Sequence, residues 1–320
     1  MIVITGAAGF IGSNLIRRLN IEGFYDIVLV DKFLPDKERN WKTKTYIENV
    51  DRDHFIDWVD EYHRLIRFVY HIGARTDTIE SDKSVFEKLN LNYSKQVWEK
   101  CTEYNLPLVY ISSAATYGDG ALGYEDSHDL VHQLKPLNLY GESKNEFDKW
   151  VLQQEKKPNH WIGLKIFNVY GPNEYHKKQM ASVVFHAFNQ IKETGKVKLF
   201  RSHRLDFEDG EQSRDFVYVK DVVDVLYFFL HYRKNSGIYN LGTGQAKSFL
   251  DLVRNIFKAL NMKENIEFID TPENIRDKYQ YFTQAAMQKL FSIGYAGQFQ
   301  RLDQGVMDYV SNYLIKNRYE

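Results

Sequence analysis

Apolar positions in the first half of the chain come in short unbroken runs. IVIT (2–5), DIVLVD (26–31), FVYHIGA (68–74), LVYISSA (108–114) and WIGLKIFNVY (161–170) each read as a strand. The first four are nearly continuous in apolar side chains, the pattern of a strand covered on both faces. Between the runs the pattern lengthens to a helical period, near 10–22, 84–104 and 142–155. Strand and helix alternating in this way predict an α/β fold with a Rossmann-type doubly wound parallel sheet. After NVYGP the regularity breaks into a helix near 180–194, a charged stretch 201–215, a helix in DVVDVLYFFLHY and short strands. That texture predicts a second, smaller α/β substrate domain interleaved with the first. Residues 1–167 with about 215–240 form the sheet domain, and 168–214 with about 241–320 form the other. The polar segment PDKERNWKTK (35–44) reads as a surface loop.

Composition narrows the classes. The chain has 320 residues, 43% of them apolar, and a formal net charge of −1. Such a balance argues against a nucleic-acid partner, which selects a basic excess. The single cysteine, Cys101, excludes an intramolecular disulfide and a multi-cysteine zinc site, so no metal is expected. The first strand starts at Ile2 with no leader-like stretch, and no apolar run approaches the ~18 residues of a membrane span. A cytoplasmic protein without a membrane partner is the expectation.

Candidate chemistry begins at GAAGFIGSN. Gly6, Gly9 and Gly12 recur at every third position between the first strand and the first helix. Glycine lets backbone approach a pyrophosphate, and a helix N-terminus offers free N–H groups and a positive dipole. Asp31 closes the next strand, roughly 20 residues on, where a carboxylate accepts ribose hydroxyls. Asp31 taken alone favours NAD. Lys32 follows it, with Lys37 and Arg52 in nearby loops; these cations are either solvated or hold a 2′-phosphate, so NADP is the expected cofactor and NAD remains possible.

A second constellation lies in NLYGESK. Tyr140 and Lys144 are four residues apart, on one helix face. A lysine cation beside a tyrosine favours the phenolate and so lowers a pKa that is ordinarily near 10. Ser113, at the end of LVYISSA, can donate to the same substrate oxygen.

Together, the glycine spacing, the serine strand and Y-x-x-x-K resemble the extended short-chain dehydrogenase/reductases that act on nucleotide sugars. The resemblance covers essentially the whole chain. It implies that Lys144 also holds the nicotinamide ribose, that Asn90 supports the cofactor, and that Arg214 of RDFVYVKDV clamps a substrate diphosphate. It further places Phe10, Ile11, Gly73, Ala74, Arg75, Thr76 and Val169 against the cofactor, with Ile72 where many members carry glutamate. SSAATYG offers no carboxylate after the serine, which favours epimerisation or reduction over elimination of water.

FNVYGPNEYHKKQMASVVFH (167–186), with SSAATYG, PLNLYG, SRDFVYVKDVVDV, GIYNLGTGQAKSF and KYQYFTQA in the same order, is similar to the ADP-L-glycero-D-manno-heptose 6-epimerase family. That resemblance implies a redox-neutral inversion through a ketone on retained NADP, an ADP-heptose substrate and a homopentamer. It makes Lys177 the second acid/base beside Tyr140 and a cofactor contact, with His176 and Lys178 as cations that depress its pKa. Asn168, Gln179, His186, Phe200, Arg201, Ser202, His203 and Tyr279 fall where substrate contacts are expected. Gln179 stands where serine is common, and the 199–216 loop is longer and more acidic than usual. A UDP-hexose 4-epimerase or a reductase of the same superfamily shares the first-half motifs. A catalytically silent dinucleotide sensor would usually have lost the tyrosine or the lysine.

Overall fold

The computed structural model describes residues 1–276 and 279–320. Its centre is a seven-stranded sheet of β1 (Ile2–Thr5), β2 (Ile27–Asp31), β3 (Glu48–Asp51), β4 (Phe68–His71), β5 (Leu108–Ser113), β6 (Trp161–Ile166) and β7 (Gly237–Leu241). The order across the sheet is β7-β6-β5-β4-β1-β2-β3, and every pair is parallel. β1, β2, β4 and β6 are buried along their whole length, as the unbroken apolar runs predict. The chain runs outward from β1 to β3 on one side, then returns to β4 and builds the other. The direction of winding therefore changes between β1 and β4, and the crevice beyond their carboxyl ends is where such sheets bind ligands.

Three departures from the pattern have physical causes. β3 is an edge strand reading ENVD, with Glu48 and Asn49 exposed, so it carries no apolar run to detect. The expected strand over 161–170 is two strands. β6 ends at Ile166, and Asn168–Tyr170 leaves the sheet to pair with Phe216–Tyr218. The 35–44 segment is not a simple surface loop. It holds a turn at Pro35–Lys37 and a short helix at Glu38–Trp41, and Asn40 and Lys44 are buried.

Helices cover both faces: Phe10–Ile21, Phe55–Tyr62, Tyr93–Glu103, Leu139–Gln153 and Val219–His231. Beyond the sheet, Val197–Phe200 pairs with Ile266–Ile269, and Ser213–Arg214 with Lys247–Ser248. One apolar cluster gathers Val184, Phe188, Phe216, Leu252 and Val306 around Phe10, the first residue of helix Phe10–Ile21. Phe10 thus ties the glycine loop to the second half of the chain. Among the described residues, no helix is long and apolar enough to cross a membrane.

Candidate active site

The glycine loop sits at the switch point, pressed against the end of β4. Gly6 has φ +69°, and a Cβ there would lie 2.6 Å from the Gly73 Cα. A Cβ on Gly12 would lie 2.2 Å from the Gly6 carbonyl oxygen, so the helix can start this close to the loop only with glycine. The first turn of helix Phe10–Ile21 carries no acid and no capping side chain, so its first N–H groups are left for an anion. Asp31 is buried at the end of β2, where its Oδ2 accepts the Ala8 N–H at 3.0 Å and its Oδ1 accepts Lys37 Nζ at 3.0 Å. The loop, helix end and carboxylate fit a dinucleotide.

Polar side chains behind the loop shape it. The Gly73 N–H donates to Thr5 Oγ1 at 3.2 Å, and the same hydroxyl contacts His71 Nδ1 at 2.8 Å. Asn90, buried in the π-helical stretch Glu87–Asn92, accepts the Arg75 N–H at 2.8 Å and donates to the Arg75 carbonyl and Ser143 Oγ. Asn90 therefore fixes the backbone at Arg75. The Arg75 guanidinium turns away to Asp77 and Glu80.

Next to the loop lies a cavity of about 340 Å³. It is lined by Phe10, Ile11, Ile72, Ala74, Thr76, Ser113, Tyr140, Lys144, Asn168, Val169 and Lys177, brought from six separate stretches of chain. A second hollow of about 290 Å³ is lined by His186, Phe200 and Tyr279, and shares Val183 and Phe249 with the first. Arg214 lies where they adjoin, its guanidinium 5.5 Å from both the Phe249 and Tyr279 ring centres. It is only 6% exposed and bonds backbone carbonyls of Ser213 and Gln280, so it is no surface ion pair.

A family model described as "NAD dependent epimerase/dehydratase family" matches residues 2–242. The ADP-L-glycero-D-manno-heptose-6-epimerase of Fusobacterium nucleatum is 47% identical over 99% of this chain and 98% of its own length. That of Nitratidesulfovibrio vulgaris is 44% identical, covering 98% of each. The chain belongs to the NAD dependent epimerase/dehydratase family, in its ADP-L-glycero-D-manno-heptose-6-epimerase branch. The crystal structure of the Helicobacter pylori ADP-L-glycero-D-manno-heptose-6-epimerase superposes with a TM-score of 0.80 at 28% identity, over 97% of this chain and 95% of that one. A Thermus thermophilus UDP-glucose 4-epimerase, at 23% identity and TM-score 0.78 over 98% of each chain, shares the fold.

Electrostatics within this cavity follow burial first. Burial pushes the Tyr140 phenol above its ordinary pKa, and a hydrogen bond to Ser113 works against that. The lowering expected from Lys144 is not what the chain alone produces. Lys144 is buried, donates to the Ile111 carbonyl at 2.8 Å, and is itself pushed down to about 8 by desolvation. Lys177 is depressed as expected, but by burial, with Glu174 opposing. Its histidine neighbour supplies no cation: burial first, then the charges of Lys37 and Lys177, push His176 down to about 4. Lys178 is exposed.

Several expected contacts are not brought to this cavity. Gln179 is exposed beside it. Arg201 pairs with Asp209 and Asp270, the Ser202 N–H with Asp209, and His203 with Tyr281 and Thr271. Asp209 of that loop holds Arg201 and Ser202, while Asp270, Thr271 and Tyr281 from outside it take the remaining bonds of Arg201 and His203. Lys32 is bonded to Asp51 and Asp53, and Arg52 to Asp53.

Other residues matter that their motifs did not advertise. Asn40 donates to the Ala8 and Asn173 carbonyls and contacts His176 Nδ1 at 3.2 Å. Asn14 donates to the Pro172 carbonyl and Asn173 to Ser13 Oγ, both across more than 150 residues of chain. Polar residues read as helix or loop surface thus stitch the glycine loop to the segment that bears Lys177. For Asn14 and Asn173 the sequence signal is an amide side chain close to a glycine; Asn40 carries none.

Proposed function

We propose that this chain inverts carbon 6 of ADP-D-glycero-β-D-manno-heptose to the L-glycero epimer through a transient ketone, with no net redox change. The observation that carries this reading is one cavity lined by two proton-carrying side chains, Tyr140 and Lys177. Inversion at a carbinol carbon needs two, because the proton leaves from one side and returns after the exposed end of the sugar has turned over. A nicotinamide dinucleotide, when bound, would supply the hydride acceptor and donor, and its positive ring would favour the Tyr140 phenolate. Tyr140 and Lys177 exchange the proton of the 6-hydroxyl, each serving one epimer. Ser113 donates to the carbonyl oxygen as it forms. Lys144 and Asn90 hold the dinucleotide and its loop. Arg214 takes the diphosphate, to which a guanidinium is matched in charge and geometry, and His186, Phe200 and Tyr279 take the adenosine end.

On this reading residues 1–167 with about 215–240 serve the dinucleotide, and 168–214 with about 241–320 serve the sugar nucleotide. The same resemblance makes the protein a cytoplasmic homopentamer supplying lipopolysaccharide heptose. NADP is the cofactor, with Lys37 and Arg52 beside Asp31 as its 2′-phosphate cations. NAD is the second reading, favoured by the engagement of Lys32 with Asp51 and Asp53, which leaves fewer cations for a phosphate.

The test is incubation with ADP-D-glycero-β-D-manno-heptose, followed by NMR of the side-chain stereocentre and identification of the dinucleotide released on denaturation. Conversion without accumulation of reduced cofactor is expected, with NADP released. Absence of conversion, or one reduced cofactor per turnover, overturns the reading; conversion of UDP-hexoses instead would move the chain to the 4-epimerases.

A further inference from the structure

The segment carrying Lys177 is closed at both ends by one carboxylate. Glu174 is fully buried. Its Oε1 accepts the Gly171 N–H at 3.3 Å and the Ser182 hydroxyl at 2.7 Å, and its Oε2 accepts the Ser182 N–H at 2.6 Å. Gly171 and Ser182 bracket the segment, so a single side chain sets the span between its ends. The Glu174 carbonyl also accepts the Lys177 N–H at 2.9 Å.

Inside this closed loop Lys178 is held at φ +51°, ψ −126°, a backbone conformation disfavoured for any residue with a Cβ. Such a residue persists only where its surroundings over-determine it. Lys177, just before it, reaches the cavity with its ammonium 5.5 Å from the Phe10 ring centre. Among the described residues no hydrogen bond or ion pair holds that ammonium, so the backbone beneath it decides where it points. Burial disfavours charge on Glu174 and on Lys177 alike, and each charge favours the other. Tyr309 and Tyr175 complete the surroundings of the carboxylate.

We propose that Glu174 is the positioning residue for Lys177: by joining Gly171 to Ser182 it holds the strained turn that aims the ammonium into the cavity. The proposal rests on reading Lys177 as an acid/base, and it makes no contact between Glu174 and the substrate.

A double-mutant cycle on the dinucleotide-loaded protein tests it, with kcat and KM measured for heptose epimerisation and thermal midpoints checked throughout. Glu174→Gln is expected to lower kcat about 10-fold or more while KM stays within about 3-fold, since misplacing a reacting group costs rate before binding. Combined with Lys177→Met it should be no slower than Lys177→Met alone. A purely structural defect would instead multiply the two losses. Ser182→Ala, which removes one of the three bonds, is the milder arm, expected to lower kcat about 3-fold with the same non-additivity. Unchanged kcat in both, or losses that multiply in both cycles, overturns the positioning role. Normal turnover in Lys177→Met overturns the acid/base reading instead, and the proposal with it.

Discussion

His71 shows how one buried side chain can prepare a cofactor loop. It lies at the end of β4, 3% exposed, between Thr5 Oγ1 at 2.8 Å and Ser94 Oγ at 2.9 Å. Because Thr5 Oγ1 also receives the Gly73 N–H, the ring holds together the two glycine-bearing strand ends at the switch point. Burial, aided by the charge of Lys144, pushes its pKa from 6.5 down to about 3. The unfolded chain therefore takes up a proton near pH 6.5 that the folded protein refuses until about pH 3. The stability linked to this group is complete above pH 6.5 and is lost as pH falls through that window. Replacing His71 with Gln should accordingly flatten the acid side of the stability curve. Denaturant midpoints between pH 6.5 and 4 are expected to yield a slope shallower by up to about 1.4 kcal/mol per pH unit than in the unmodified protein. Equal slopes would mean that His71 titrates normally in the folded state.

At the scale of elements, the start of helix Phe10–Ile21 sets how near a ligand can come to the backbone. The contact between Gly12 and the Gly6 carbonyl is backbone on backbone, so no rotamer change can relieve an added methyl group. Gly12→Ala must push the helix off the loop and open the anion cradle. The expected result is a folded protein, with far-UV circular dichroism intact, that loses its dinucleotide on gel filtration; retention of stoichiometric nucleotide would show that the loop tolerates the shift. The same scale explains what the hydrophobic pattern could not display. An edge strand such as β3 needs little apolar surface, and the 38–41 helix is too short for a period. Tyr140 and Lys144 were legible because four residues on a helix always share a face. Lys177 was reached only through the family resemblance, since in a turn with one residue at φ +51° no periodicity states where a side chain points.

In the whole molecule, the two proposed parts are not separable by a cut. The chain crosses between them at 167–168, near 215 and near 241, and β7 completes the sheet after the chain has already built strands outside it. Phe10 packs with Phe188, Phe216 and Leu252, while Ala285 and Met287 from the last quarter pack with the sheet core. A shared core of this kind couples the unfolding of both parts. Calorimetry of the dinucleotide-loaded protein should show one transition whose van't Hoff and calorimetric enthalpies agree. Two resolved peaks would show that the substrate part melts by itself.

Local pattern was enough for the α/β class, five of the seven sheet strands as apolar runs, the glycine loop and the shared helix face of Tyr140 and Lys144, because each depends on neighbours within a turn or a strand. The family followed from ordered motifs spread along the full length. Folding alone revealed that Arg214 stands between two aromatic rings instead of on the surface, and that the acidic 201–209 stretch keeps its own cations. It also showed that the depressed pKa of Lys177 comes from burial, with Glu174 as the opposing charge. Each of these depends on groups distant in sequence, and on how much water the packed chain leaves around them.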